Sequence, residues 1–82
     1  MHMANFRNTK QRRVILDILE NASEPLSANE IYEKAKQVFP SMALTTIYRN
    51  LDQLTELQLL FKHRLRENEF SYELLEHKHH HY

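Results

Sequence analysis

The 82-residue chain contains no cysteine, no glycine and no tryptophan, and only two prolines. Without cysteine it has no disulfide framework and no thiolate zinc knuckle. Without glycine it has no phosphate-cradling glycine loop and no glycine-rich nucleophile elbow. Turns must then be built from Asn, Ser, Pro, Glu or His, and Asn68 is the expected left-handed turn residue. No stretch approaches the roughly 18 apolar residues of a membrane span, and the start lacks the apolar run of a signal peptide. The carboxylates are scattered rather than paired, so no enzyme is expected. The length predicts one small domain, cytoplasmic and away from membranes.

Net charge is also missing, with eleven basic and eleven acidic side chains. The zero total conceals a separation of signs. Residues 1–13 hold Arg7, Lys10, Arg12 and Arg13 and no acid, whereas residues 14–33 hold Asp17, Glu20, Glu24, Glu30 and Glu33 and no base. A local basic edge suits a polyanion even on a neutral chain. The alternative is an exposed terminus with ordinary solubilising charge.

What is abundant is helical periodicity. Val14, Ile15, Ile18, Leu19 and Ala22 recur at three and four, which predicts a helix over 10–21 capped by Asn8 or Thr9. Arg12 and Arg13 then fall in its first turns, where cations oppose the helix dipole and a bound phosphate reverses that cost. Glu24-Pro25 breaks the pattern. Ser27-Ala28-Asn29-Glu30 reads as a capping box, with Leu26 and Ile31 available as a hydrophobic staple. The second helix is predicted over 28–38, burying Ile31, Tyr32, Ala35, Val38 and Phe39, and Pro40 ends it. A third helix over 42–57, capped by Ser41, follows after three or four residues, a helix-turn-helix spacing. Phe61 and His63 then alternate with Leu60, Lys62 and Arg64, and Phe70, Tyr72 and Leu74 alternate with Ser71 and Glu73, predicting a hairpin of 60–64 and 70–74. The expected fold is mainly α with a small antiparallel β hairpin: a winged helix-turn-helix.

Residues 41–54, SMALTTIYRNLDQL, carry the functional signal. Leu44, Ile47, Leu51 and Leu54 form one apolar stripe. Between them stand two threonines, a tyrosine, an arginine and an asparagine, where an ordinary exposed face uses more Glu and Lys. A helix of this kind fits the major groove of duplex DNA. Ala43, Thr45 and Thr46 offer methyls to thymine, Tyr48 a ring and a hydroxyl, and Arg49 a phosphate or guanine contact. Asn50 reads adenine if its side chain points outward. In the competing reading Tyr48 fills a seam between helices and Arg49 pairs with Asp52 or Glu56. Lys62, Arg64 and Arg66 put charge on the wing, opposed by Glu67 and Glu69.

The chain ends in EHKHHHY. Imidazoles of His77, His79, His80 and His81 beside Glu73 and Glu76 suit zinc, and less uniquely iron or manganese. The alternative is an exposed tail or a purification tag.

Four segments together resemble the N-terminal domain of the ferric uptake regulator superfamily: TKQRRVILDILE, PLSANEIYEKAKQVFP, ALTTIYRNLDQL, and FSYEL followed by the histidine cluster. The resemblance implies a winged-helix DNA-binding domain over 1–76 and a histidine-rich hinge beginning at 77–82, with the dimerisation domain absent. It implies repression of metal-homeostasis or stress genes from double-stranded operator DNA bound as a homodimer, these residues alone being monomeric. Lys10, Arg12 and Arg13 resemble the family's backbone or minor-groove contacts; Tyr48 and Arg49 resemble its base and phosphate contacts; Ala43, Thr45, Thr46 and Arg64 complete the expected DNA surface. Glu73, His79 and His81 resemble part of its metal site, which takes zinc, iron or manganese in the complete protein; whether these residues alone hold a metal stays open. The chain departs from the family at two positions. Pro25, with Glu24 beside it, stands where a loop histidine ligand is usual, and Gln58 stands where glycine closes the third helix. A protein-interaction domain using the same surface is the rival: Arg12, Arg13 and Arg49 sharing one exposed face favours DNA, and each pairing with an acid favours the rival.

Overall fold

A computed structural model describes the backbone of residues 2–75 and the side chains of residues 10–75. The elements run α1 (His2–Asn21), β1 (Leu26–Ser27), α2 (Ala28–Val38), α3 (Leu44–Glu56), β2 (Leu60–Arg66) and β3 (Glu69–Leu74). The three helices and the hairpin match expectation. The third strand, β1, does not: it pairs antiparallel with β3 through Leu26↔Tyr72 and Ser27↔Ser71, giving the sheet order β1-β3-β2. Two residues are too few to show alternation in a sequence.

The helices assemble because each turns an apolar stripe inward. Ile15, Leu19, Ile31, Ala35, Ile47, Leu51 and Leu54 are buried at their junction, with Leu60 and Tyr72 closing it from the sheet. Val38 was expected in this core but is 69% exposed, in the last turn of α2. The hairpin, marginal by itself, is held by that packing. Its register, Leu60↔Leu74, Lys62↔Tyr72 and Arg64↔Phe70, keeps the predicted alternation until a bulge between Arg64 and Arg66.

The helix ends follow local chemistry, with three departures. α1 begins at His2, well before residue 10, because residues 2–21 hold no proline or glycine to stop it. Asn8 and Thr9 therefore lie within the helix and do not cap it, and Arg12 and Arg13 stand too far from its positive end for the dipole to favour a phosphate beside them. α2 has its capping box: Ser27 Oγ accepts from the Glu30 amide at 3.2 Å and Glu30 Oε1 accepts from the Ser27 amide at 2.9 Å. Leu26 and Ile31, the staple pair, are both buried.

α3 is capped at Ala43, not Ser41, and no side chain accepts from its first turn. Ser41 is used up in the tight turn in which the Met42 amide donates to the Phe39 carbonyl at 2.9 Å. Asn68 is not left-handed either. Gln58 is the positive-φ residue among the described ones, at φ 64°. The Leu59 amide donates to the Leu54 carbonyl and the Gln58 amide to the Thr55 carbonyl, at 3.0 and 2.9 Å. This is the Schellman closure that glycine usually makes. Gln58 adopts it despite its Cβ, so α3 exits as a glycine-bearing relative would.

Candidate nucleic-acid interface

The outward side of α3 divides into two strips. Thr45, Arg49 and Gln53 recur every four residues and stack along one line; Tyr48 and Asp52 form the next. Thr45, Arg49, Asp52 and Gln53 are exposed, and Tyr48 is 45% exposed. The seam reading of Tyr48 therefore fails. Among the described residues Arg49 makes no ion pair with Asp52 or Glu56. Asn50 does not point outward: it is 6% exposed and its amide donates to the Thr46 carbonyl at 2.9 Å. It is a core brace, not a base reader. Thr46, one turn away, is half-buried. Ala43 is exposed at the helix start, where uncapped amides stand open.

On one flank α1 delivers a cation. Arg12 Nη2 donates to Gln53 Oε1 at 2.8 Å. Arg12 Nε is enclosed and has no hydrogen-bond partner, and no carboxylate pairs with the guanidinium among the described residues. Lys10 and Arg13 are exposed on the same helix, and Arg13 is likewise unpaired. The structure thus brings Arg12 beside the Arg49 strip, and among the described residues none of Arg12, Arg13 and Arg49 meets the acid that would favour the protein-interaction reading.

The other flank faces the wing. Tyr48 and Tyr72 line a cleft of about 70 Å³ together with Ser27, Asn68 and Phe70. Burial pushes the Tyr72 phenol above its ordinary value of 10.0, and the nearby Asp52 and Tyr48 push it further. The cations of the wing are exposed, and each meets a neighbour on the hairpin. Lys62 Nζ lies 4.3 Å from the Phe70 ring centroid and 6.0 Å from that of Tyr72. Arg66 pairs with Glu69 at 3.7 Å, and Arg64, exposed, donates from Nε to the Arg66 carbonyl at 3.4 Å.

At the far end of β3, Glu73 Oε2 lies 2.6 Å from His63 Nε2 on β2. Glu73 also lines a pocket of about 230 Å³ with Glu24 and Pro25. Oxygen and imidazole donors of this kind suit zinc, iron(II) or manganese. Among the described residues, however, no three His, Asp or Glu side chains gather into a metal-holding group. The expected ligands His79 and His81 lie outside the described residues. Residue reading missed His63 because its strand position marks it only as alternating. It missed Gln53 too, although its four-residue step from Arg49 was the available signal.

Three helices with a helix-turn-helix and a terminal β hairpin define this as a winged helix-turn-helix domain. The chain belongs to the ferric uptake regulator family, whose sequence model, "Ferric uptake regulator family", matches residues 3–82. The ferric uptake regulation protein of Bacillus subtilis (strain 168) is 34% identical over 86 residues, covering 99% of this chain and 58% of the relative. The crystal structure of the Campylobacter jejuni peroxide stress regulator is similar with a TM-score of 0.80 at 29% identity, covering 92% of this chain and 55% of that one. FurB from M. tuberculosis, a zinc uptake regulator, has a TM-score of 0.80 at 27% identity, covering 92% and 58%. The chain thus spans about half the length of the relatives it matches. Among the described residues, no helix is long and apolar enough to cross a membrane.

Proposed function

We propose that this chain is the DNA-binding domain, over residues 1–76, of a metal-responsive transcriptional repressor that works in the cytoplasm and performs no catalysis. α3 enters the major groove, Tyr48 and Arg49 meet base edges and phosphate, and Ala43, Thr45 and Thr46 present methyls and hydroxyls. Lys10, Arg12 and Arg13 take the phosphate backbone, and Arg64 adds a contact from the wing. The observation that carries this is the exposure of Tyr48 and Arg49 next to an arginine from α1, with no carboxylate among the described residues paired with either arginine.

A two-fold operator is gripped by two copies, half-site by half-site, and linkage of two modules raises the effective concentration of each. One copy of these residues is therefore a weak, monomeric binder. Glu73 with His79 and His81, at the start of a hinge over 77–82, would hold zinc, iron or manganese. Such an ion supplies a fixed positive charge and a fixed geometry for its ligands. The family relationship and the donor chemistry at Glu73 support this.

Titration of a labelled AT-rich two-fold duplex, with separate zinc, iron and manganese loadings, tests the proposal. Tyr48→Ala is expected to weaken binding by about tenfold or more, the ~1–3 kcal/mol of one specific contact, with an unchanged melting temperature. Equal affinity in the variant, or its unfolding, would overturn the assignment.

A further inference from the structure

We infer that Gln53 is a positioning residue that aims Arg12 at a phosphodiester of the bound duplex, an inference that rests on the DNA-binding reading above. Arg12 and Gln53 are 41 residues apart in sequence and join α1 to α3 through one hydrogen bond of 2.8 Å. A guanidinium carries five N–H donors in a rigid planar fork. Here Nη2 is held by the amide oxygen and Nε is enclosed by protein. The fork is thereby fixed in orientation, and its remaining η donors are left uncommitted.

The chemistry of the partner is the informative part. A carboxylate at position 53 would hold Arg12 as well or better, because a charge-assisted hydrogen bond is the stronger kind. It would also cancel the charge. An amide oxygen fixes the geometry and leaves the full positive charge in place. A half-buried cation without an acid is poor design for stability alone, and it is what a phosphate needs. Gln53 also lies one turn beyond Arg49 on the same strip, so the aimed guanidinium and Arg49 flank one line along α3. Two cations along one strip follow a phosphate backbone.

A purely structural role, pinning α1 to α3, makes the opposite forecast for one substitution. Gln53→Glu keeps the hydrogen bond and adds an ion pair, so melting temperature should hold or rise. Duplex affinity should nevertheless fall, and the slope of log affinity against log salt should flatten by about one, as one phosphate contact is lost. Gln53→Ala keeps the charge and frees the side chain, so affinity should fall about three- to tenfold through lost pre-organisation. The Arg12→Ala, Gln53→Ala double variant should bind no worse than Arg12→Ala. All four proteins are titrated with labelled duplex over a salt series, with Arg49→Ala beside them. If Gln53→Glu binds like wild type with the same salt slope, or Gln53→Ala loses nothing, while Arg49→Ala is impaired, Gln53 is only a structural brace and the inference is overturned. If the wild-type protein binds no duplex at all, the DNA-binding reading and the inference fall together.

Discussion

The two flanks of α3 are built on opposite electrostatic plans. Toward α1, Arg12 is held by a neutral amide and keeps its charge, and Arg13 and Arg49 have no ion pair among the described residues. Toward the wing, Lys62 lies over the Phe70 and Tyr72 rings and Arg66 is paired with Glu69, while Asp52 and Glu69 add negative charge. Both flanks carry several exposed cations; among the described residues those toward α1 meet no acid, whereas each of those on the wing already has a partner. Net charge zero is therefore compatible with a phosphate-binding edge, because what matters is where the cations stand and what they already meet.

The sharpest way to break this contrast is to remove one cation from each flank. Arg12→Ala is expected to weaken binding to every duplex by about tenfold and to flatten the salt slope by about one. Arg64→Ala should cost about twofold or less, as expected of an exposed cation with an internal acceptor. Anisotropy titrations at several salt concentrations measure both. Equal losses would mean that the wing contributes as much as α1, and the asymmetry would be gone.

Much of this was legible in the residues. The stripe of Leu44, Ile47, Leu51 and Leu54 located α3, and Ser27 with Glu30 located the start of α2, because periodicity and capping are local physics. The exposure of Tyr48 and the isolation of Arg49 were open alternatives that only packing could decide. Asn50 shows why: the stripe left its direction open, but position 50 shares the inner side with Ile47, Leu51 and Leu54, and the amide there satisfies the Thr46 carbonyl. The Arg12–Gln53 bond spans two helices and has no signature within either. The two-residue β1 carries no pattern, and the turn chemistry misdirected attention to Asn68 because glycine-free chains place αL residues wherever a helix must close.

That closure lies at the root of the wing and gives the next test. Gln58 holds φ 64° at the exit of α3, immediately before β2. A residue with a Cβ costs roughly 1–2 kcal/mol in the left-handed region. Glycine removes that strain but adds conformational entropy to the unfolded chain, which takes back ~0.4–1 kcal/mol. Gln58→Gly should therefore stabilise the domain by about 0.5–1 kcal/mol in chemical denaturation, leaving duplex affinity unchanged. A loss of stability would show that the Gln58 side chain makes a compensating contact, and a change in affinity would show that the wing position is set by this residue.

The smallest effect is confined to alkaline solution and reports on the wing flank alone. Tyr72 is 2% exposed, and burial, then Asp52, then Tyr48 raise its phenol above the ordinary 10.0. The fold thus favours the neutral phenol. Above pH 10 the unfolded chain gives up this proton more readily than the native one, so the unfolded state binds fewer protons and stability falls as pH rises. The contribution is fully present below the unfolded value and is lost as pH climbs through the folded one. Tyr72→Phe should flatten the decline in unfolding free energy above pH 10, and Asp52→Asn should flatten it less, because burial is the larger cause. Neither substitution should alter the salt slope of duplex binding, which belongs to the opposite flank. If Asp52→Asn has the larger effect on the alkaline decline, charge outweighs burial at Tyr72, and the wing side is more strongly electronegative than its packing suggests.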